Sequence, residues 1–175
     1  MKKLISLILV LAMAATMIVG CGNKEAKKPA LEGTMKENIE KIMEKNPVEF
    51  MADFFPTDLA DTSEEGLWAI TSTTGLKNGD QLSDLAVYEP MMGSMAFSLV
   101  MVRVKDAAKA KDVAQEMHDN IDPRKWICVE ADDMKVVGYG DVVMLIMMQS
   151  DIDMTSQSFV DAFQSICGGE LDFTI

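Results

Sequence analysis

The sequence predicts an α+β domain, an antiparallel sheet of about four strands with helices packed on one face, reached through a helical N-terminal segment. Three observations predict it. Residues 85–104 hold two stretches of apolar and β-branched types separated by Pro90 and Gly93, the pattern of a hairpin. Ala110, Val113, Ala114, Met117 and Ile121 then recur at helical spacing. Two further strand-like stretches and a second helical stripe follow, so the core order is strand, strand, helix, strand, strand, helix.

In chain order, Met35–Lys45 (MKENIEKIMEK) sets Met35, Ile39, Ile42 and Met43 at helical spacing, and Asn46-Pro47 stops it. Residues 50–68 mix aromatics, Pro56 and acids, and predict a turn or a short second helix around 62–67. Leu85, Val87 and Met91 alternate with polar or small residues, and residues 95–104 (MAFSLVMVRV) form the other arm of the hairpin. Asp106 has the side-chain oxygen to cap the helix that follows, which ends before Pro123. Residues 126–129 and 134–137 predict two short strands, and Gly138-Tyr139-Gly140-Asp141 supplies the turn into Val142–Met148 (VVMLIMM). That last run has no alternation and reads as a strand covered on both faces. Phe159, Ala162, Phe163 and Ile166 make the stripe of a final helix over residues 155–166, and Gly168-Gly169 ends it.

Ahead of this domain the chain opens on Met1-Lys2-Lys3 and continues over residues 4–19 as an apolar run broken only by Ser6 and Thr16. A basic end followed by an apolar run too short for a stable membrane span is the layout of a signal peptide. Ile18-Val19-Gly20-Cys21 resembles the lipobox of bacterial lipoproteins, with an aliphatic residue at minus three and a small one at minus one; Ile18 stands where leucine is commoner. The resemblance implies diacylglycerol on the Cys21 sulfur and cleavage on its amino side. An ordinary cleaved signal peptide or an uncleaved anchor helix would leave Cys21 unexplained. Three segments follow: 1–20 as signal peptide, 21–33 as a polar, lysine-bearing stalk with lipidated Cys21, and 34–175 as one globular domain.

Charge narrows the partners. The 175-residue chain has 16 basic and 28 acidic residues; without Lys2 and Lys3 the count is 14 against 28, a charge of −14. Nucleic acid is not expected, because binding it needs a basic surface that displaces phosphate counterions. Acidity also repels anionic headgroups, so membrane attachment on the extracytoplasmic face should rest on the Cys21 lipid. Cys128 and Cys167 are compatible either with a disulfide, which export permits, or with two thiols; their separation is no redox motif.

The sequence offers no catalytic, cofactor-binding or metal residue to assign. His118 is the single histidine and lies at the edge of an apolar stripe, where a surface role is expected. No GxSxG, SxxK, HExxH, phosphate loop or dinucleotide fingerprint is present. The pairs Glu64-Glu65, Asp132-Asp133 and Asp151/Asp153 divide acid and base roles only if burial separates their pKa values; as loop acids they are expected to be solvated. Asp151-Ile152-Asp153-Met154-Thr155 has the start of a calcium loop, but Ser156 replaces its glycine and Asp153 or Thr155 fits a helix cap equally. Sixteen methionines are the compositional oddity. Thioethers bind Cu(I), and Met91-Met92-Gly93-Ser94-Met95 is a candidate cluster, helped by Cys128 or His118, whereas most others belong to core-like runs.

The lipobox, the helical lead-in, Ala86-Val87-Tyr88-Glu89-Pro90, Val102-Arg103-Val104-Lys105-Asp106, the helix after it, and Gly140-Asp141-Val142-Val143-Met144-Leu145 together resemble a family of bacterial lipoproteins, domain-of-unknown-function family 4358. The likeness spans most of residues 34–166. Where that family often has an arginine and then a tyrosine after the central helix, Arg124 and Trp126 stand here. The resemblance implies location and fold and lends no activity. The expectation is therefore a tethered, non-enzymatic binding or adaptor domain for an extracytoplasmic ligand or protein, with Tyr88, Trp126 and Tyr139 as candidates for a groove between sheet and helices. Methionine-based metal handling and a small carboxylate-dependent enzyme are the alternatives.

Overall fold

The structure is a computed structural model and describes residues 30–175; the expected signal peptide, Cys21 and the expected stalk up to residue 29 lie outside the described residues. Thr34 closes a capping box with Glu37, each side chain accepting from the other's backbone N–H, so α1 (Met35–Lys45) begins at Met35. Asn46 ends it. A three-residue strand, β1 (Ala52–Phe54), precedes α2 (Glu64–Thr74), which Ser63 caps by accepting from the Gly66 N–H. Gly75 stops α2 at φ 76°, left-handed backbone that suits glycine. A Cβ there would lie 2.7 Å from the Ile121 nitrogen, so the position also admits no side chain sterically.

The hairpin strands are β2 (Leu82–Pro90) and β3 (Phe97–Val104). Asp106 accepts from the Ala108 N–H and starts a single 3-10 turn, Ala107–Lys109, that leads into α3 (Ala110–Asn120). The second hairpin, β4 (Asp133–Tyr139) and β5 (Val142–Met148), turns at Gly140; α4 (Ser156–Cys167) and β6 (Phe173–Thr174) follow. The order across the sheet is β1-β2-β3-β5-β4-β6, antiparallel at every pair. The expected core order is present, but the sheet has six strands rather than about four. The additions are β1 and β6, of three and two residues, which pair along the outer edges of β2 and β4.

The helices lie on both faces, which corrects the expectation of one. Met35, Ile39 and Ile42 of α1 and Phe159 and Phe163 of α4 pack with Leu99, Met101, Met144 and Ile146. Ile70 of α2 and Val113 and Met117 of α3 pack with Val100, Val102, Leu145 and Met147. The reason is in the strands. Alternate side chains of a strand point to opposite faces, and every residue of β5 is apolar and buried, so a single helical layer would leave half of them in water. Each large side chain fully buried this way contributes about 2 kcal/mol. Residues 126–129, expected as a strand, are loop: Cys128 sits at φ 63°, which breaks an extended run.

Candidate functional site

The two ends of the sheet are built differently. At the end where β3 finishes, the Arg103 guanidinium donates to both carboxylate oxygens of Asp141 at 2.9 Å and to the carbonyls of Leu31 (2.6 Å) and Gly33 (3.1 Å). Asp84 accepts from the Met35 N–H at 2.8 Å. Leu31 itself is buried. Residues 31–33, ahead of α1, are thus fastened to this end by a planar fork that suits a carboxylate and two carbonyls at once. The eight residues of β3, at about 3.3 Å each, carry the sheet roughly 25 Å to its other end.

That other end is made of loops. The Met91 N–H donates to the Met51 carbonyl (3.0 Å) and the Ile127 N–H to the Gly93 carbonyl (2.7 Å), so the segments before β1, after β2 and after α3 are joined by main-chain bonds. Five large apolar side chains are exposed among the described residues: Met51 (71%), Met91 (65%), Met92 (52%), Ile127 (72%) and Trp68 (65%). Four of them stand on these joined loops, with the exposed thiol of Cys128 beside Ile127. Scattered apolar residues are ordinary on a surface; four on adjoining loops form a patch.

Beneath the patch lies a polar node. Glu89 and Ser98 face each other across β2 and β3, and Lys125 reaches down from the loop after α3 to contact Glu89 Oε1 at 2.5 Å. Ser98 Oγ donates to the same oxygen at 2.7 Å, and the Lys125 ammonium also donates to Ser98 Oγ and to the Ser72 carbonyl of α2. The Trp126 ring lies 5.2 Å from that ammonium. Burial pushes the Lys125 pKa down from its ordinary value, outweighing the opposing pull of Glu89. The node therefore holds residues 125–128 onto the hairpin at the cost of desolvating a cation. Sequence reasoning missed Lys125, Glu89 and Ser98; its available signal was Ser98, the one hydroxyl inside the apolar run 95–104.

The residues singled out from sequence do not converge. Tyr88 packs edge-on to Phe54 (5.2 Å) and, with Glu40, Met43 and Glu44, lines an open groove of about 470 Å³. Tyr139 is buried on the same face, and Trp126 packs on the opposite one, so no common groove collects the three. His118 is partly exposed and 3.1 Å from Asp119 Oδ1. Cys128 is an exposed thiol and Cys167 a buried one, with no disulfide between them.

Of the acidic pairs, Asp132-Asp133 serves as a local staple. Asp132 accepts from the N–H and hydroxyl of Ser150, and Asp133 from the N–H and hydroxyl of Ser156. Glu64 and Glu65 sit in the first turn of α2, where negative charge suits the helix dipole. Thr155, not a calcium ligand set, caps α4 by accepting from Ser158 N–H. Among the described residues no group of three His, Cys, Asp or Glu is placed to hold a metal ion, and no helix is long and apolar enough to cross a membrane.

No family model, curated protein or solved structure matches the chain.

Proposed function

We propose that this chain is a lipid-anchored extracytoplasmic lipoprotein, of the kind gathered in domain-of-unknown-function family 4358, whose folded domain binds a ligand or protein through its loop end. One observation carries the reading. Met51, Met91, Met92 and Ile127 gather at the end of the sheet opposite the Arg103 fork that receives the stalk. A lipid on Cys21 and a stalk fastened at Leu31 and Gly33 turn the loop end away from the membrane. An apolar patch at the far end of a tethered domain, with an acidic remainder that keeps it soluble, is the arrangement of a contact surface.

Photo-crosslinking tests it. A photoreactive residue placed at position 92 or 127 of the whole chain, in cells, should give discrete adducts. The same residue at Asp112, on the exposed side of α3, should give none. Adducts that are equal at all three positions, or absent from 92 and 127, would reject the loop end as the contact surface.

A further inference from the structure

We infer that Met51, Met91, Met92 and Cys128 form a sulfur site for a soft monovalent cation, Cu(I), at the loop end; this names a ligand for the surface proposed above and rests on that reading. Of the thirteen methionines among the described residues, six are fully buried, four (Met43, Met95, Met134 and Met154) are partly buried and three are more than half exposed. Met35, Met101, Met117, Met144, Met147 and Met148 are fully buried, and core packing accounts for them. Met51, Met91 and Met92 are more than half exposed, so packing does not. They stand on the loops that two main-chain bonds tie together, Met91 to Met51 and Ile127 to Gly93.

Those bonds limit the distances. Met92 precedes Gly93 and Cys128 follows Ile127, so each stands one residue from the same hydrogen-bonded pair. Methionine is unbranched, with three torsions before its methyl, and an exposed thioether is free to turn toward the Cys128 sulfur. Cys128 at φ 63° also stands clear of any strand pairing, and its thiol is exposed. Three thioethers and one thiolate select Cu(I) over the harder divalent ions, which prefer oxygen or imidazole. The acidity of the chain draws cations to it. Binding is a proton exchange without electron transfer: the Cys128 S–H bond breaks, a Cu–S bond forms, and one proton leaves to water for each cation taken up.

The test is anaerobic titration with Cu(I) delivered as its bicinchoninate complex, using the whole chain in detergent with Cys21→Ser so that the anchor sulfur does not compete. One Cu(I) should transfer per chain, with the methyl signals of Met51, Met91 and Met92 shifting in NMR spectra. Cys128→Ser should weaken uptake about 100-fold, and Met51→Leu/Met91→Leu/Met92→Leu at least about tenfold. No uptake tighter than micromolar, or uptake unchanged in both variants, would overturn the site. Leucine keeps the apolar surface, so the triple variant should keep its loop-end crosslinks. Crosslinks that persist in a wild-type chain taking up no Cu(I) would overturn the metal site alone and leave the contact surface standing.

Discussion

Arg103 and Asp141 meet through two hydrogen bonds of 2.9 Å, and the same guanidinium holds the carbonyls of Leu31 and Gly33. One side chain thus fixes both the β4–β5 turn and the path of the chain into α1. Both partners are mostly shielded from water, at 19% and 29% side-chain exposure. Arg103→Ala should cost about 1–3 kcal/mol in denaturant unfolding. Arg103→Lys should recover little of it, because an ammonium lacks the fork. Hydrogen exchange should quicken at Met35, whose N–H bonds to Asp84 beside the clamp, and stay slow in β5.

Lys125 and Glu89 form the corresponding fastening at the loop end. Glu89→Gln or Lys125→Met alone leaves one buried charge without its partner and should cost about 2–4 kcal/mol. The double variant should cost less than the sum, with a coupling of about 1–3 kcal/mol by the double-mutant cycle. Strict additivity would mean that the pair does not hold the loop.

Gly138 lies directly under the ring of Phe173, where an added Cβ would fall 2.1 Å from the ring carbon Cζ. Gly138→Ala should therefore push β6 off β4 and cost about 1–3 kcal/mol, and Phe173→Leu in the same chain should restore part of it. Thermal unfolding of the two variants beside the unaltered chain checks both statements.

Much of the framework was legible because burial leaves a period. The stripes of α1, α3 and α4 and the unbroken run of β5 were read close to their bounds. Strands of three and two residues, β1 and β6, are too short to show alternation. α2 was foreshortened because exposed Trp68 and buried Thr73 and Thr74 blur its stripe; both threonines satisfy their hydroxyls on backbone carbonyls one turn back. The second helical layer was implied by Val142–Met148 itself, since a strand covered on both faces needs cover on both. The loop end was not legible, because it depends on which distant loops adjoin and on a backbone angle at Cys128 that no residue type announces.

Acid should unfold the domain in a predictable direction. Hydrogen bonds from the Ser150 hydroxyl and N–H hold Asp132 below its ordinary 3.8, Ser63 does the same for Asp61, and His118 with Gln115 for Asp119. The Thr34 N–H and hydroxyl likewise hold Glu37 below 4.5. A carboxyl with a depressed folded pKa contributes stability that is present above its unfolded value and is lost as pH falls through the folded one. Stability should therefore decline below about pH 4.5. Asp132→Asn should flatten part of that decline, seen as denaturation midpoints of the two chains converging at the acid end.

The anchor is tested in the whole chain. The wild type should incorporate a clickable fatty acid in growing cells, and Cys21→Ser should not. The most direct measurement of the whole account uses Asp112→Cys with Cys128→Ser, which puts a thiol on the exposed side of α3. Spheroplasts are treated with a membrane-impermeant maleimide and then fractionated. The chain should be labelled before lysis and found in the membrane pellet. Labelling that appears only after lysis, or a labelled chain in the supernatant, would contradict it.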